Sequence, residues 1–215
     1  MPRDLRPRLA AFVLALAFAP ALGAQALLDD LFIAAVNDRA DQVKAILARG
    51  VDPNSVDKNG DPVIVAAARA GSTSVVDVLI ASKADVDKRN RWGDTALMVA
   101  ALNGQAGIAK ALRQKGAAVT MKGWTPLIYA ATGGHDDIVR WLLGEGSDIN
   151  AASPNGTTAL MMAVRENRYS TALLLIARGA DVNRRNENGF SALDWAKRND
   201  DAQLVERLKR AGARD

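Results

Sequence analysis

The sequence predicts an all-α repeat solenoid of about six helix-turn-helix units joined by β-hairpin-like loops. Three observations carry this. Gly60, Gly93, Gly123, Gly156 and Gly189 recur at spacings of 33, 30, 33 and 33 residues. A second ladder, Gly50, Lys83, Gly116, Gly146, Gly179 and Gly212, keeps step with the first, and its one 30-residue step falls in the same place. Apolar pairs at helical spacing close each unit, such as Val75-Val76 with Leu79-Ile80 and Ile138-Val139 with Leu142-Leu143. A fixed period of about 20–50 residues marks one small unit copied along the chain.

Each unit reads in the same order. After the early glycine a Thr or Ser starts the first helix, as in Thr95-Ala96-Leu97, Thr125-Pro126-Leu127, Thr158-Ala159-Leu160 and Ser191-Ala192-Leu193. Their hydroxyls can cap free backbone N–H groups, and Pro126 suits the first helical turn, where its missing N–H costs nothing. This helix is short and ends near Gly71, Gly104 or Gly134, with Asp38, Asn167 and Asp200 at the equivalent positions. All three residue types tolerate a left-handed turn. The second helix follows. The unit closes on Gly-Ala-Asp-Val-Asn (179–183), Gly-Ser-Asp-Ile-Asn (146–150) or Gly-Val-Asp-Pro-Asn (50–54).

These motifs, recurring in phase, resemble the ankyrin repeat over residues 27–215. The units fall at 27–56, 57–89, 90–119, 120–152, 153–185 and 186–215. The resemblance implies a hairpin and two antiparallel helices per unit. One family feature is missing. The histidine usual after the Thr-Pro-Leu cap is replaced by Phe32, Val65, Met98, Ile128, Met161 and Asp194. In the family that histidine ties neighbouring loops, so its loss implies a stack held more by apolar packing. Arg207 and Lys209 stand where the second unit has Val78 and Ile80, giving the last unit a polar outer face. In the first unit Asp29-Asp30 falls where a helix is expected to start. Arg113 interrupts an apolar position just before the short segment Gly116–Gly123. The pair marks either a change in stacking angle or an arginine snorkelling to solvent.

Residues 1–26 read as a secretory signal peptide. Arg3, Arg6 and Arg8 precede an apolar run from Leu9 to Leu22, and Ala24 and Ala26 form an Ala-x-Ala cleavage site. The run is shorter than the roughly 20 residues of a membrane span. The expected location is periplasmic or secreted, with no membrane attachment after cleavage. Retention of the run as an anchor, giving a membrane-tethered scaffold, is the alternative.

The chain carries 28 basic and 24 acidic residues, net +4. The leader accounts for three arginines and one aspartate, leaving 25 and 23, net +2. With no long basic run, nucleic acid is not an expected partner. There is no cysteine, which removes disulfides, thiolate metal sites and a cysteine nucleophile. The one histidine, His135, sits at the start of a second helix and reads as structural. No Gly-x-Ser-x-Gly elbow or Walker loop occurs. The sequence therefore names no catalytic, cofactor-binding or metal-binding residue, and no cofactor. A small-ligand or catalytic protein on this scaffold would need a convergent polar cluster, which the sequence lacks.

What remains is a surface. The family resemblance implies that a partner protein docks on the concave face, built from hairpin tips and the ends of the first helices. Trp92, Trp124 and Phe190 each flank a ladder glycine. Exposed aromatics and arginines mark interaction sites. The expected anchors are Trp92, Trp124 and Phe190, with Arg89, Arg91, Lys122 and Arg185 favouring an acidic partner rim. Trp141 and Trp195 fall at apolar helix positions and are expected in the core. The overall expectation is a monomeric, non-enzymatic protein-interaction module acting as adaptor, accessory factor or inhibitor.

Overall fold

The computed structural model describes residues 23–215, so most of the predicted leader lies outside the described residues. The helices are α1 (23–36), α2 (Ala40–Ala48), α3 (Val63–Ala70), α4 (Thr73–Ala81), α5 (Ala96–Leu102), α6 (Ala106–Gln114), α7 (Pro126–Gly133), α8 (Asp136–Gly144), α9 (Ala159–Arg165), α10 (Tyr169–Ala177), α11 (Ala192–Arg198) and α12 (Ala202–Arg210). They pair in chain order. The first helices α3, α5, α7, α9 and α11 pack in one row, and the second helices line a parallel row behind them. Among the described residues there is no strand. The hairpins carry only the isolated bridges Val56–Pro62 and Ala152–Thr158. The result is an all-α repeat solenoid.

The helix starts follow the local chemistry. The hydroxyls of Thr95, Thr125, Thr158 and Ser191 accept the backbone N–H groups of Met98, Ile128, Met161 and Asp194. The first helices end on left-handed residues: Gly71, Gly104 and Gly134, and also Asp38, Asn167 and Asp200 at φ of 52–56°. The second ladder ends each second helix the same way, and Lys83 is its one non-glycine rung, at φ 63°. A left-handed non-glycine residue costs about 1–2 kcal/mol, against roughly 0.5–1 kcal/mol for glycine's greater chain freedom. Lys83 is exposed. Lys83→Gly should therefore raise stability by about 0.5–1 kcal/mol, read as a higher urea midpoint at unchanged slope.

One core runs the length of the stack. Val65, Met98, Ile128 and Met161, which replace the family histidine, are fully buried in it. Each such side chain contributes roughly 1.5–3 kcal/mol through burial. Trp141 and Trp195 lie at the edge of this core rather than inside it, half-buried against it. At the C-terminal end α12 buries Leu204 and Leu208 and leaves Arg207 and Lys209 exposed, the polar face a terminal unit needs.

The first unit departs from expectation. Asp29 and Asp30 do not start a helix; α1 is already helical at residue 23, and Gln25 Nε2 donates to Asp29 Oδ1 at 3.0 Å. The other first helices are preceded by a glycine turn. Here Ala24-Gln25-Ala26-Leu27-Leu28 has no turn residue, so helix continues through it.

The hairpins share two side-chain ties. Inside each tip, the residue three before the ladder glycine holds the turn. Asp57 Oδ1 accepts from the N–H of Asn59 and Asp61, Asn90 Oδ1 from Trp92 and Asp94, Ser153 Oγ from Thr157, and Asn186 Oδ1 from Asn188 and Phe190. Between units, the closing Asn or Asp accepts an N–H from the next unit: Asn54 from Asp85, Asp87 from Ala118, Asn150 from Asp181 and Asn183 from Arg214. In the short segment one residue, Thr120, falls at both positions, because three residues are missing. Among the described residues it makes neither tie. Ser147 Oγ reaches the Val119 carbonyl instead, at 3.4 Å.

The helices respond to the shortened loop. α5 and α7 have the most extensive contact of any neighbouring pair, while α6 and α8 barely touch. First helices are in closer contact and second helices in looser contact here than elsewhere in the stack. Arg113 spans the opening. Its Nε lies 2.9 Å from Glu145 Oε2 and its Nη1 3.3 Å from the Ala117 carbonyl. Lys110, Arg113, Trp141 and Glu145 line the resulting cleft of about 430 Å³.

His135 is structural. Its Nε2 lies 2.9 Å from the Leu102 carbonyl of the preceding unit. The ring is packed against Gly104 and Gly133, so closely that a Cβ on either would lie within 2.7 Å of it.

Candidate functional site

The hairpin tips and the exposed ends of the first helices make one continuous face. Trp92 is the most exposed aromatic on it, 57% accessible, and a guanidinium covers one side of its ring: Arg91 Cζ lies 4.1 Å from the centroid. The Asn90 turn fixes both residues at the tip. An arginine over an indole holds both in place and leaves the guanidinium edge free to donate.

The other sequence-predicted residues divide. Arg89 and Arg185 occupy equivalent positions and serve their own hairpins. Arg89 Nη1 donates to the Gly93 carbonyl at 2.9 Å and Arg185 Nη1 to that of Gly189 at 2.6 Å. Arg185 also pairs with Asp194 at 2.9 Å. Both remain exposed and keep donors for a partner. Lys122 is exposed on the short loop. Trp124 and Phe190 are half-buried. Trp124 meets Tyr129 edge-on at 6.0 Å, and Phe190 stacks on Trp195 at 5.1 Å. Each ring meets the aromatic ring five residues later, on the helix that follows it, which draws it down from the tip.

A polar network runs beneath this face across three units. Asp61, only 6% exposed, binds Arg69 through both oxygens at 2.5 and 3.2 Å. Asn90 Nδ2 donates to Asp61 Oδ1 at 3.1 Å and to Asp94 Oδ2 at 3.3 Å. The Tyr129 hydroxyl donates to Asp94. The Arg69 guanidinium holds the Asp61 carboxyl below the usual carboxylate range; burial opposes this and the Asn90 bond adds to it. Burial, reinforced by Asp94, pushes the Tyr129 phenol above its ordinary value. In the last unit burial would raise the Asp194 carboxyl, but the Ser191 hydroxyl and N–H hold it low.

Beside Lys122 the missing loop residues leave a groove of about 340 Å³, walled by Thr120, Met121 and Lys122 on one side and by Ser147, Asp148 and Ala151 on the other. The second wall was not legible as a site, because its residues belong to an ordinary closing motif. Tyr129 was likewise missed. Its signal was available in the repeat register: Trp124 and Tyr129 stand one double period, 66 residues, before Phe190 and Trp195.

A family model for ankyrin repeats in three copies matches residues 31–122 and 117–186, well over half of the chain. The chain belongs to the ankyrin-repeat family. Among curated proteins, this ankyrin chain is 32% identical over 141 residues to the B-cell lymphoma 3 protein homolog of Mus musculus, covering 62% of this chain and 32% of that one. It is 31% identical over 128 residues to ankyrin repeat and SAM domain-containing protein 6 of Rattus norvegicus, covering 57% and 14%. It is also 31% identical over 138 residues to an L-asparaginase of Dirofilaria immitis, covering 63% and 23%. The chain thus spans a third or less of the length of these relatives. An ankyrin stack is a protein–protein interaction module.

Proposed function

We propose that this chain is an exported, non-enzymatic ankyrin-repeat protein that binds a partner protein on its hairpin-tip face as adaptor, accessory factor or inhibitor. The observation that carries the reading is Trp92, a large aromatic held at a tip, capped by Arg91 and open to solvent. Aromatic and arginine side chains in such settings supply most of the energy of protein interfaces.

Electrostatics supports an acidic partner. Among the described residues, Lys58, Arg89, Arg91, Lys122 and Arg198 have no carboxylate within ion-pair distance. The carboxylates Asp61, Asp94 and Asp194 are bonded within the protein, while Glu187 is exposed at its tip.

Cleavage at the expected site is compatible with the packing. Residues 23–26 are exposed, and burial against the stack begins at Leu27 and Leu28. Cleavage after Ala26 would remove no core contact.

The test is co-purification from the exported fraction with wild type and a Trp92→Ala/Lys122→Glu variant. Both positions are exposed, so the variant should fold and melt like wild type. It should lose the co-purifying protein at least tenfold. Equal recovery by both would remove this face as the binding site.

A further inference from the structure

The aromatic pairs Trp124–Tyr129 and Phe190–Trp195 occupy the same two repeat positions, two units apart. The unit between them has Thr157 and Met162 at these positions, both nearly buried. Because α7, α9 and α11 pack side by side, the half-buried pairs form two low walls on either side of Met162 on α9, which is nearly buried and forms the floor between them. Arg165 and Arg198 lean over the second wall: their Cζ atoms lie 5.8 and 5.7 Å from the Trp195 centroid. Arg198 has no carboxylate partner among the described residues, and Lys122 stands beside the first wall.

We infer that this trough takes an extended acidic segment of the partner protein, with one apolar side chain against each aromatic pair and carboxylates between them. This rests on the protein-binding reading above and gives it a partner chemistry. Adjacent helices pack about 8–10 Å apart, so the walls are separated by roughly 16–20 Å. An extended chain advances about 3.3 Å per residue, so the two apolar anchors stand about five or six positions apart. The free cations on the rim select carboxylates, and a helical segment, rising about 1.5 Å per residue, would instead put the two anchors about eleven to thirteen positions apart. No residue of this trough is Trp92, which lies one unit before the first wall.

The experiment is selection of a displayed library of random twelve-residue peptides on the folded protein. Enriched peptides should carry two apolar residues five or six positions apart with Asp or Glu between. Their affinity should fall at least tenfold in Phe190→Ala and in Arg198→Glu, with thermal melting confirming the fold of each. Trp124→Leu, which keeps an apolar side chain at the half-buried site, should weaken them without loss of fold. No enrichment, or peptides lacking the spacing or the acids, overturns the inference. Peptides that bind but respond only to Trp92→Ala overturn it too, while leaving the protein-binding tip face standing.

Discussion

Gly133→Ala should destabilise the stack by roughly 2–5 kcal/mol, although it exchanges one small helical residue for another. Gly133 is the last residue of α7 and is not strained. Its cost comes from the neighbouring unit. A Cβ there would lie 2.4 Å from the Leu102 carbonyl oxygen and 2.5 Å from the His135 ring. The carbonyl is backbone and the ring is hemmed in by Gly104, so neither can give way cheaply. Overpacking of this kind costs about 1–3 kcal/mol. Displacing the ring also breaks the His135–Leu102 bond and leaves the carbonyl without its partner, a further 1–2 kcal/mol or so. Gly107→Ala is the control. That position has nothing within 4 Å of a Cβ, and alanine's helix preference should leave stability unchanged or raise it by up to about 1 kcal/mol. Chemical denaturation of the two variants beside wild type checks both. Equal midpoints for both would show that His135 does not lock the units together.

Asp61→Ala should cost about 2–3 kcal/mol. Asp61 is the hinge of the network that joins Arg69, Asn90, Asp94 and Tyr129, and it is nearly buried. Its removal leaves Asn90 Nδ2 short of an acceptor at a buried position, the expensive outcome for a polar group. Arg69 is 45% exposed in its side chain and regains water, which limits the loss. The same residue sets a pH dependence. The folded-state pKa of Asp61 lies below the ordinary 3.8. Its contribution is therefore fully present above the unfolded value and is lost as pH falls below about 3.8 through the lower folded value. Asp61→Asn should flatten this acid limb of the stability profile and leave the profile above pH 5 parallel to wild type. An unchanged limb would place the acid sensitivity elsewhere.

The fold was legible because its rules are local and repeated. A Thr or Ser cap, a left-handed stop and a closing Asn each act within a few residues, so their recurrence in phase makes them visible. Asp38, Asn167 and Asp200 could be equated with glycines because one backbone rule covers all of them. Position α1 is where that locality failed: the acidic pair looked like a helix start, but with no turn before it the helix runs back to residue 23. The candidate site was legible in part. Trp92 stands where its tip glycine suggested, exposed. Trp124 and Phe190 are half-buried, since Tyr129 and Trp195 draw them down, and a pairing between helix positions is invisible at a tip. Arg89 and Arg185 turned out to hold their own loops as well as facing solvent. The groove at Thr120 was foreshadowed only as a missing three residues. Its form follows from one residue being asked to fill two roles and making neither bond.

The claim that matters most is that the tip face, and not the row of second helices, receives a partner. It is tested by placing a photocrosslinking amino acid singly at Trp92 and Asn188 on the tips and at Lys110 and Glu206 on the second helices, then irradiating the exported fraction. The same crosslinked species should form from both tip positions, vanish on adding Lys122→Glu to the Trp92 variant, and be absent from the helix positions. Crosslinking from Lys110 or Glu206 alone, or equally from all four, would contradict the account.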